Sequence, residues 1–223
     1  MAFQPASNGY SAKGGKIIRC TRCLMAASYC LCGEAQTQSL SGEKQVAICL
    51  LMHKNEANKP TNTGRLIEDV LPHNTFRYYW HRTEPSPQFL ELINNPRYQP
   101  YIIFPGDRGG YDDRVVEQAD FSTGKVPLFI ILDGSWRQAG RMFRLSGYLQ
   151  SLPVLPLKSV RHSAYQLRKA PDEYHLCTAE VAIELLKQHE QAPAADALEQ
   201  YFQQFNLNYA RSRREPTNKH SHA

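Results

Sequence analysis

The sequence predicts an α/β protein, a mostly parallel sheet with helices on both faces, preceded by a small cysteine-rich knuckle. Three observations predict it. Short apolar runs alternate with segments of helical spacing from about Gln45 to Phe205, the pattern of strands joined by crossover helices. The most apolar run, Val126 to Leu132, stops at Asp133-Gly134-Ser135-Trp136, as a strand does on reaching the carboxyl edge of a sheet. Cys20, Cys23, Cys30 and Cys32 crowd a segment too short to hold a core, which folds only around a staple.

The elements follow in order. Residues 1–15 are polar and Gly-rich and read as disordered. The knuckle takes 16–40, the α/β domain 41–207, and a basic disordered tail 208–223. Val46 to Met52 is a buried strand, and Gly64 to Leu71 a helix stopped by Pro72. Phe76 to Trp80 is a strand, Pro87 to Ile93 a helix, and Tyr101 to Phe104 a strand ending at Pro105-Gly106. Asp112 to Ala119 has helical spacing. After the 126–132 strand comes a helix from Trp136 to Leu145, with Ser135 placed to cap it. Pro153 to Leu157 is a short strand, and Ala179 to His189 and Ala195 to Phe205 close the domain as helices.

Composition bounds the function. The chain has 223 residues, 42% apolar, and a formal net charge of +5, which permits a nucleic-acid partner without requiring one. No stretch approaches the roughly 18 to 20 apolar residues of a membrane span, and the N-terminus lacks the apolar core of a signal peptide. A cytoplasmic protein without a membrane partner is expected, its six cysteines serving as metal ligands or core thiols rather than disulfides.

The candidate chemistry sits at strand ends. An apolar strand cannot hold a carboxylate inside without a partner, so Asp133 belongs at the sheet edge, beside the Ser135 hydroxyl and the Trp136 indole. The bland alternative is that Asp133 caps the helix and Trp136 packs. Cys20-x2-Cys23-x6-Cys30-x-Cys32 suits tetrahedral structural zinc, with free thiols or an iron–sulfur cluster as the alternatives. Cys49 and Cys177 read as buried small hydrophobes. His53-x-x-Glu56 supplies too few ligands for a metal and is placed on the loop after the first strand. Thr61, Asn62, Thr63 and Arg65 offer hydroxyls, an amide and a cation at a helix start, which suits an anion. Otherwise Thr63 is a cap and Arg65 a surface charge. Arg19 and Arg22 beside the knuckle are candidates for phosphate.

Asp133-Gly-Ser-Trp136 resembles the signature of the DTW-domain family, with Ser135 where the family usually has Thr. The resemblance extends to the four cysteines, to His53-Lys-Asn-Glu56 and Thr61-Asn-Thr-Gly-Arg-Leu66, and to Phe104-Pro-Gly106. It continues through Tyr165-Gln-Leu-Arg168 and Cys177-Thr-Ala-Glu180. One departure is Ala26, where many members place a proline. The family's bacterial tRNA-uridine aminocarboxypropyltransferases move the 3-amino-3-carboxypropyl group of S-adenosylmethionine onto N3 of a uridine and release methylthioadenosine. The resemblance therefore implies a SPOUT-like sheet with a trefoil knot, structural zinc, tRNA as partner, and a monomer or homodimer.

It also assigns roles. Asp133 accepts or orients the N3 proton. A carboxylate of ordinary pKa, about 3.9, is a weak base for that task, so orientation with electrostatic activation is the expected role. Trp136 stacks on the base or walls the methionine chain, and Ser135 bonds either substrate. Phe104, Pro105, Gly106 and Asp107, with Thr61, Asn62, Thr63 and Asp133, hold the cofactor. Arg168, Lys169 and Arg65, with Arg19 and Arg22, contact RNA, Arg168 and Lys169 having the cofactor carboxylate as their other target. Thr178 and Glu180 cap a helix first and contact substrate second. The competing readings are the same transfer to ribosomal RNA, methyl transfer on the same fold, and a non-catalytic zinc-knuckle RNA-binding protein.

Overall fold

A computed structural model describes residues 18–106, 110–157 and 176–212. Five parallel strands, β1 (Ala47–Met52), β2 (Thr75–Tyr79), β3 (Tyr98–Ile103), β4 (Val126–Asp133) and β5 (Val154–Leu155), lie in the order β2-β1-β4-β3-β5. Five helices connect or follow them: α1 (Gly64–Val70), α2 (Pro87–Asn94), α3 (Trp136–Leu145), α4 (Thr178–Gln188) and α5 (Ala192–Ser212).

The apolar runs of β1 and β4 are explained by burial on both sheet faces. Every residue of β1 is buried, and every residue of β4 after Val126. Alternate side chains enter opposite layers. Ile48, Leu50, Phe129 and Ile131 face α1, α4, α5 and the knuckle, while Cys49, Leu51, Leu128, Ile130 and Leu132 face α2 and α3.

Helix starts are set locally. In α2, Pro87 follows Ser86, whose Oγ accepts from the Phe89 amide at 3.2 Å. In α3, Ser135 Oγ accepts from the Gln138 amide at 3.4 Å and Gln138 Oε1 accepts from the Ser135 amide at 2.7 Å, a reciprocal capping box. Thr63 stands before α1 without capping it. Its hydroxyl instead accepts the Ala179 amide of α4, at 3.2 Å.

Three stretches depart from expectation. The helical spacing over 112–119 yields only a 3-10 turn at Asp112–Arg114. Beyond it Val115 pairs with Val154, and the Val116 amide donates to Val154 O at 2.9 Å. Two β-branched residues beside an open sheet edge prefer that pairing to another helical turn. Strand β3 begins at Tyr98 and includes Pro100. The proline is tolerated because β5 pairs only with Ile102 and Ile103. Helix α5 runs to Ser212, past the Asn208 at which disorder was expected. Asn208 is buried and donates to Tyr29 O at 3.4 Å, so the knuckle holds this last turn. The trefoil knot stays an expectation: the passage from β5 to α4 falls largely in residues 158–175, outside the described residues.

Helix α5 buries Leu198, Phe202 and Phe205 in the same layer as Met25 and Leu31 of the knuckle. Truncating Phe205, 1% exposed, to alanine is expected to lower stability by about 3–5 kcal/mol, measured by urea unfolding.

Candidate active site at the carboxyl edge

Helices α1 and α3 leave the adjacent strands β1 and β4 toward opposite faces of the sheet. The carboxyl ends of that strand pair are therefore a topological switch point, where open α/β sheets form their ligand crevice. Register places Met52 beside Asp133, and the His53 amide donates to Asp133 O at 2.9 Å.

The Asp133 side chain is the hub. It is 2% exposed, and a buried carboxylate needs hydrogen-bond donors. Asn62 Nδ2 donates to Oδ2 at 2.8 Å and the Thr178 hydroxyl to Oδ1 at 2.7 Å. One acid thus joins β4 to the loop after β1 and to the first turn of α4. Gly64 makes the close approach possible, because a Cβ there would stand 2.8 Å from Asp133 Oδ2. Glu180 closes the α4 end by accepting the Cys177 amide at 2.8 Å.

A second network lies beside it. His53 Nδ1 accepts the Asn55 amide at 3.2 Å and lies 3.1 Å from Gln138 Nε2. A backbone amide only donates, so Nδ1 carries the lone pair and the neutral ring keeps its proton on Nε2. Burial holds the His53 pKa below 6.5, Lys59, Lys54 and Arg141 add to that effect, and Glu56 opposes it. The Trp80 indole stacks on the imidazole with centroids 5.7 Å apart and donates to Ser146 Oγ at 2.7 Å. Sequence reasoning placed His53 on this loop but missed Trp80 and Gln138. The spacing Ser135-x-x-Gln138 was the available signal.

The remaining site residues divide. Trp136, Pro105, Gly106 and Thr61 are half-buried at the edge and Ser135 is exposed, so these are within reach of a ligand. Asn62 and Thr63 are buried and act from below. Phe104 stacks on Phe143 at 4.2 Å and anchors its loop, where a Cβ on Gly106 would meet Pro156 Cγ at 2.7 Å. Arg65 is a correction. It is 8% exposed, and its guanidinium donates to Asn62 O at 3.2 Å, Cys23 O at 2.7 Å and Lys59 O at 2.8 Å. It is not a surface charge: the buried guanidinium staples the knuckle to the Asn62 loop. Asp107, Arg168 and Lys169 lie outside the described residues.

Within the knuckle the four Sγ atoms lie within 4.8 Å of one another. Cys20 and Cys32 are 3.6 Å apart, Cys23 and Cys30 3.7 Å. A tetrahedral ion with metal–sulfur bonds near 2.3 Å sets its sulfurs about 3.8 Å apart, so the quartet fits a metal. Ala26 has φ −54°, a value proline also adopts, so its replacement leaves the backbone path unchanged. Arg22 pairs with Asp69 at 2.7 Å while its side chain stays 64% exposed. Arg19 donates to Leu24 O at 3.1 Å.

The family model described as the DTW domain matches residues 17–210. The chain is similar to tRNA-uridine aminocarboxypropyltransferase 2 of Drosophila melanogaster, at 25% identity over 181 residues that cover 78% of this chain and 68% of that protein. No solved structure matches it. The chain belongs to the DTW-domain family.

Gly64→Ala tests the Asp133 clamp. Alanine ordinarily stabilises a helical position relative to glycine by about 0.5–1 kcal/mol. Here the contact with Oδ2 is expected to invert the sign, giving a loss of about 1–3 kcal/mol by urea unfolding. The His53 environment predicts a pH effect. With the folded pKa below the unfolded one, its contribution is complete above pH 6.5 and is lost as pH falls through the folded value. Ring 15N shifts should show the Nε2-protonated tautomer at pH 7 and a midpoint below 6.5.

Proposed function

We propose that this member of the DTW-domain family transfers the 3-amino-3-carboxypropyl group of S-adenosylmethionine to N3 of a uridine in tRNA, releasing methylthioadenosine. The observation that carries the reading is the clamped Asp133, with Ser135 and Trp136 beside it, at the switch-point crevice of a DTW-family chain. The similarity to an enzyme named for tRNA-uridine aminocarboxypropyl transfer supports the reaction class.

When bound, S-adenosylmethionine supplies an electrophilic γ-carbon attached to a sulfonium. A bond forms between that carbon and uridine N3, the carbon–sulfur bond breaks, and its electron pair neutralises the sulfonium as methylthioadenosine leaves. The N3 proton is released to solvent. The chain's own residues hold the partners in line. Asp133, fixed by Asn62 and Thr178, orients the N3–H and places negative charge beside the sulfonium. Trp136 stacks on the uracil or walls the methionine chain. Ser135 presents its hydroxyl to either substrate. Thr61, Phe104, Pro105, Gly106 and Asp107 hold the cofactor, with Asn62 and Thr63 shaping the floor. Arg168 and Lys169 contact RNA phosphate or the cofactor carboxylate, and Arg19 and Arg22 add phosphate contacts at the knuckle. Cys20, Cys23, Cys30 and Cys32 bind structural zinc. The knuckle is 16–40 and the catalytic domain 41–207.

Incubating purified protein with S-adenosylmethionine and bulk tRNA, then analysing nucleosides and co-product by mass spectrometry, tests the reading. The modified uridine and methylthioadenosine are expected together, with both lost in Asp133→Ala and retained in Ser135→Thr. Adenosylhomocysteine as co-product would instead mean methyl transfer. Product with ribosomal RNA alone would change the substrate. RNA binding without product, insensitive to Asp133→Ala, would leave a binding module.

Metal analysis is expected to give one zinc per chain. Chelation should lower the melting temperature and expose the four thiols to alkylation. A chain free of metal yet equally stable would remove zinc from the account.

A further inference from the structure

Helix α3 begins at the site and carries an unbalanced charge. Its outward residues Arg137, Arg141 and Arg144 are all exposed, at the i, i+4, i+7 spacing that aligns them on one face. The opposite face buries Ala139, Met142 and Phe143. The ten residues of α3 include no acid. The three arginines form no ion pair among the described residues.

Two details oppose a merely solvated face. Arg137 sits in the first turn, where the helix dipole disfavours a cation by about 0.3–1 kcal/mol, and no first-turn acid offsets it. Gly140 stands mid-helix, a choice that costs about 0.5–1 kcal/mol relative to alanine. Among the described residues, the one atom a Cβ there would meet within 4 Å is Arg144 Nη1, at 3.3 Å. The missing side chain therefore makes room for the Arg144 guanidinium lying back along the helix over Gly140. The field of Arg141 and exposed Lys54 also adds to the lowering of the His53 pKa that burial causes. At the far end of α3 exposed Arg82 joins Leu145 and Tyr148 around a groove of about 490 Å³.

We propose that the Arg137–Arg141–Arg144 face of α3 is the docking track for the phosphodiester backbone of the RNA whose uridine enters the crevice. This rests on the function proposed above. Three guanidiniums without an ion pair among the described residues, along roughly 10 Å of helix, complement a run of phosphates, and they give affinity and register rather than base identity. Because the track starts at Trp136, a strand lying on it has a nucleotide beside Asp133.

The test measures binding of fluorescent bulk tRNA by the full-length protein across 50–200 mM salt. It compares wild type with Arg137→Gln/Arg141→Gln/Arg144→Gln. A matched control is Lys44→Gln/Arg97→Gln/Lys125→Gln, which removes three exposed cations that precede β1, β3 and β4 at the amino edge. The slope of log K against log salt should fall by about 2 to 3 in the α3 variant and change little in the control. The KM for tRNA should rise with kcat retained at saturation. Equal slopes for wild type and the α3 variant, equal losses in both variants, or no tRNA binding by wild type would each overturn the track. If wild type binds tRNA but yields no methylthioadenosine, the proposed reaction falls, while the slope comparison still decides the docking face. Circular dichroism of both variants excludes unfolding as the cause.

Discussion

A carboxylate taken out of water must be matched by donors, and the arrangement of this protein's carboxyl edge follows from that demand at Asp133. The donors it recruits are far away in sequence. Asn62 comes from the loop after β1 and Thr178 from the first turn of α4. Each such bond to a charged group contributes about 1.5–3 kcal/mol, and stranding either partner would cost a comparable amount. The acid is therefore poorly available as a freely moving base. It is well suited to hold a fixed charge and a fixed geometry, the preorganised kind of catalytic contribution.

The same logic spreads outward through Arg65. Its guanidinium satisfies carbonyls at Cys23, Lys59 and Asn62, so the knuckle and the Asp133 clamp share one staple. Tyr201 of α5 adds a second tie, its single hydroxyl proton shared between Leu31 O at 3.2 Å and Asp69 Oδ2 at 3.1 Å. Asp69 in turn pairs with Arg22. A metal held by the four cysteines would thereby steady the loop that presents Asn62 as well as the knuckle. The cysteine knuckle and the Asp133 clamp are coupled through hydrogen bonds to backbone carbonyls.

What the sequence disclosed depended on how local the cause was. The β1 and β4 runs, the α3 start at Ser135 and the cysteine spacing are written in neighbouring residues and were legible. Arg65 and Thr63 were not, because their partners lie in other elements. Arg65 reaches back 42 positions to Cys23, and Thr63 serves Ala179, 116 positions on. The spacing of 112–119 misled for the opposite reason: a local helical pattern lost to a long-range pairing of Val115 with Val154. The spacing of Arg137, Arg141 and Arg144 is equally local, but that they share an exposed face of the helix that begins three residues after Asp133 is seen only in the fold.

The substitution of Ser135 for the family's usual threonine can be weighed on geometry. The hydroxyl is the part in use: it accepts the Gln138 amide at 3.4 Å, and Gln138 returns the bond to the Ser135 amide at 2.7 Å while lying 3.1 Å from His53 Nδ1. Serine and threonine both fill that capping role. The lost methyl would have pointed from an exposed residue, where it buries little apolar surface and stabilises little. What Ser135 preserves is the chain of contacts from the helix start through Gln138 to a neutral imidazole. That chain, rather than the methyl, constrains the position.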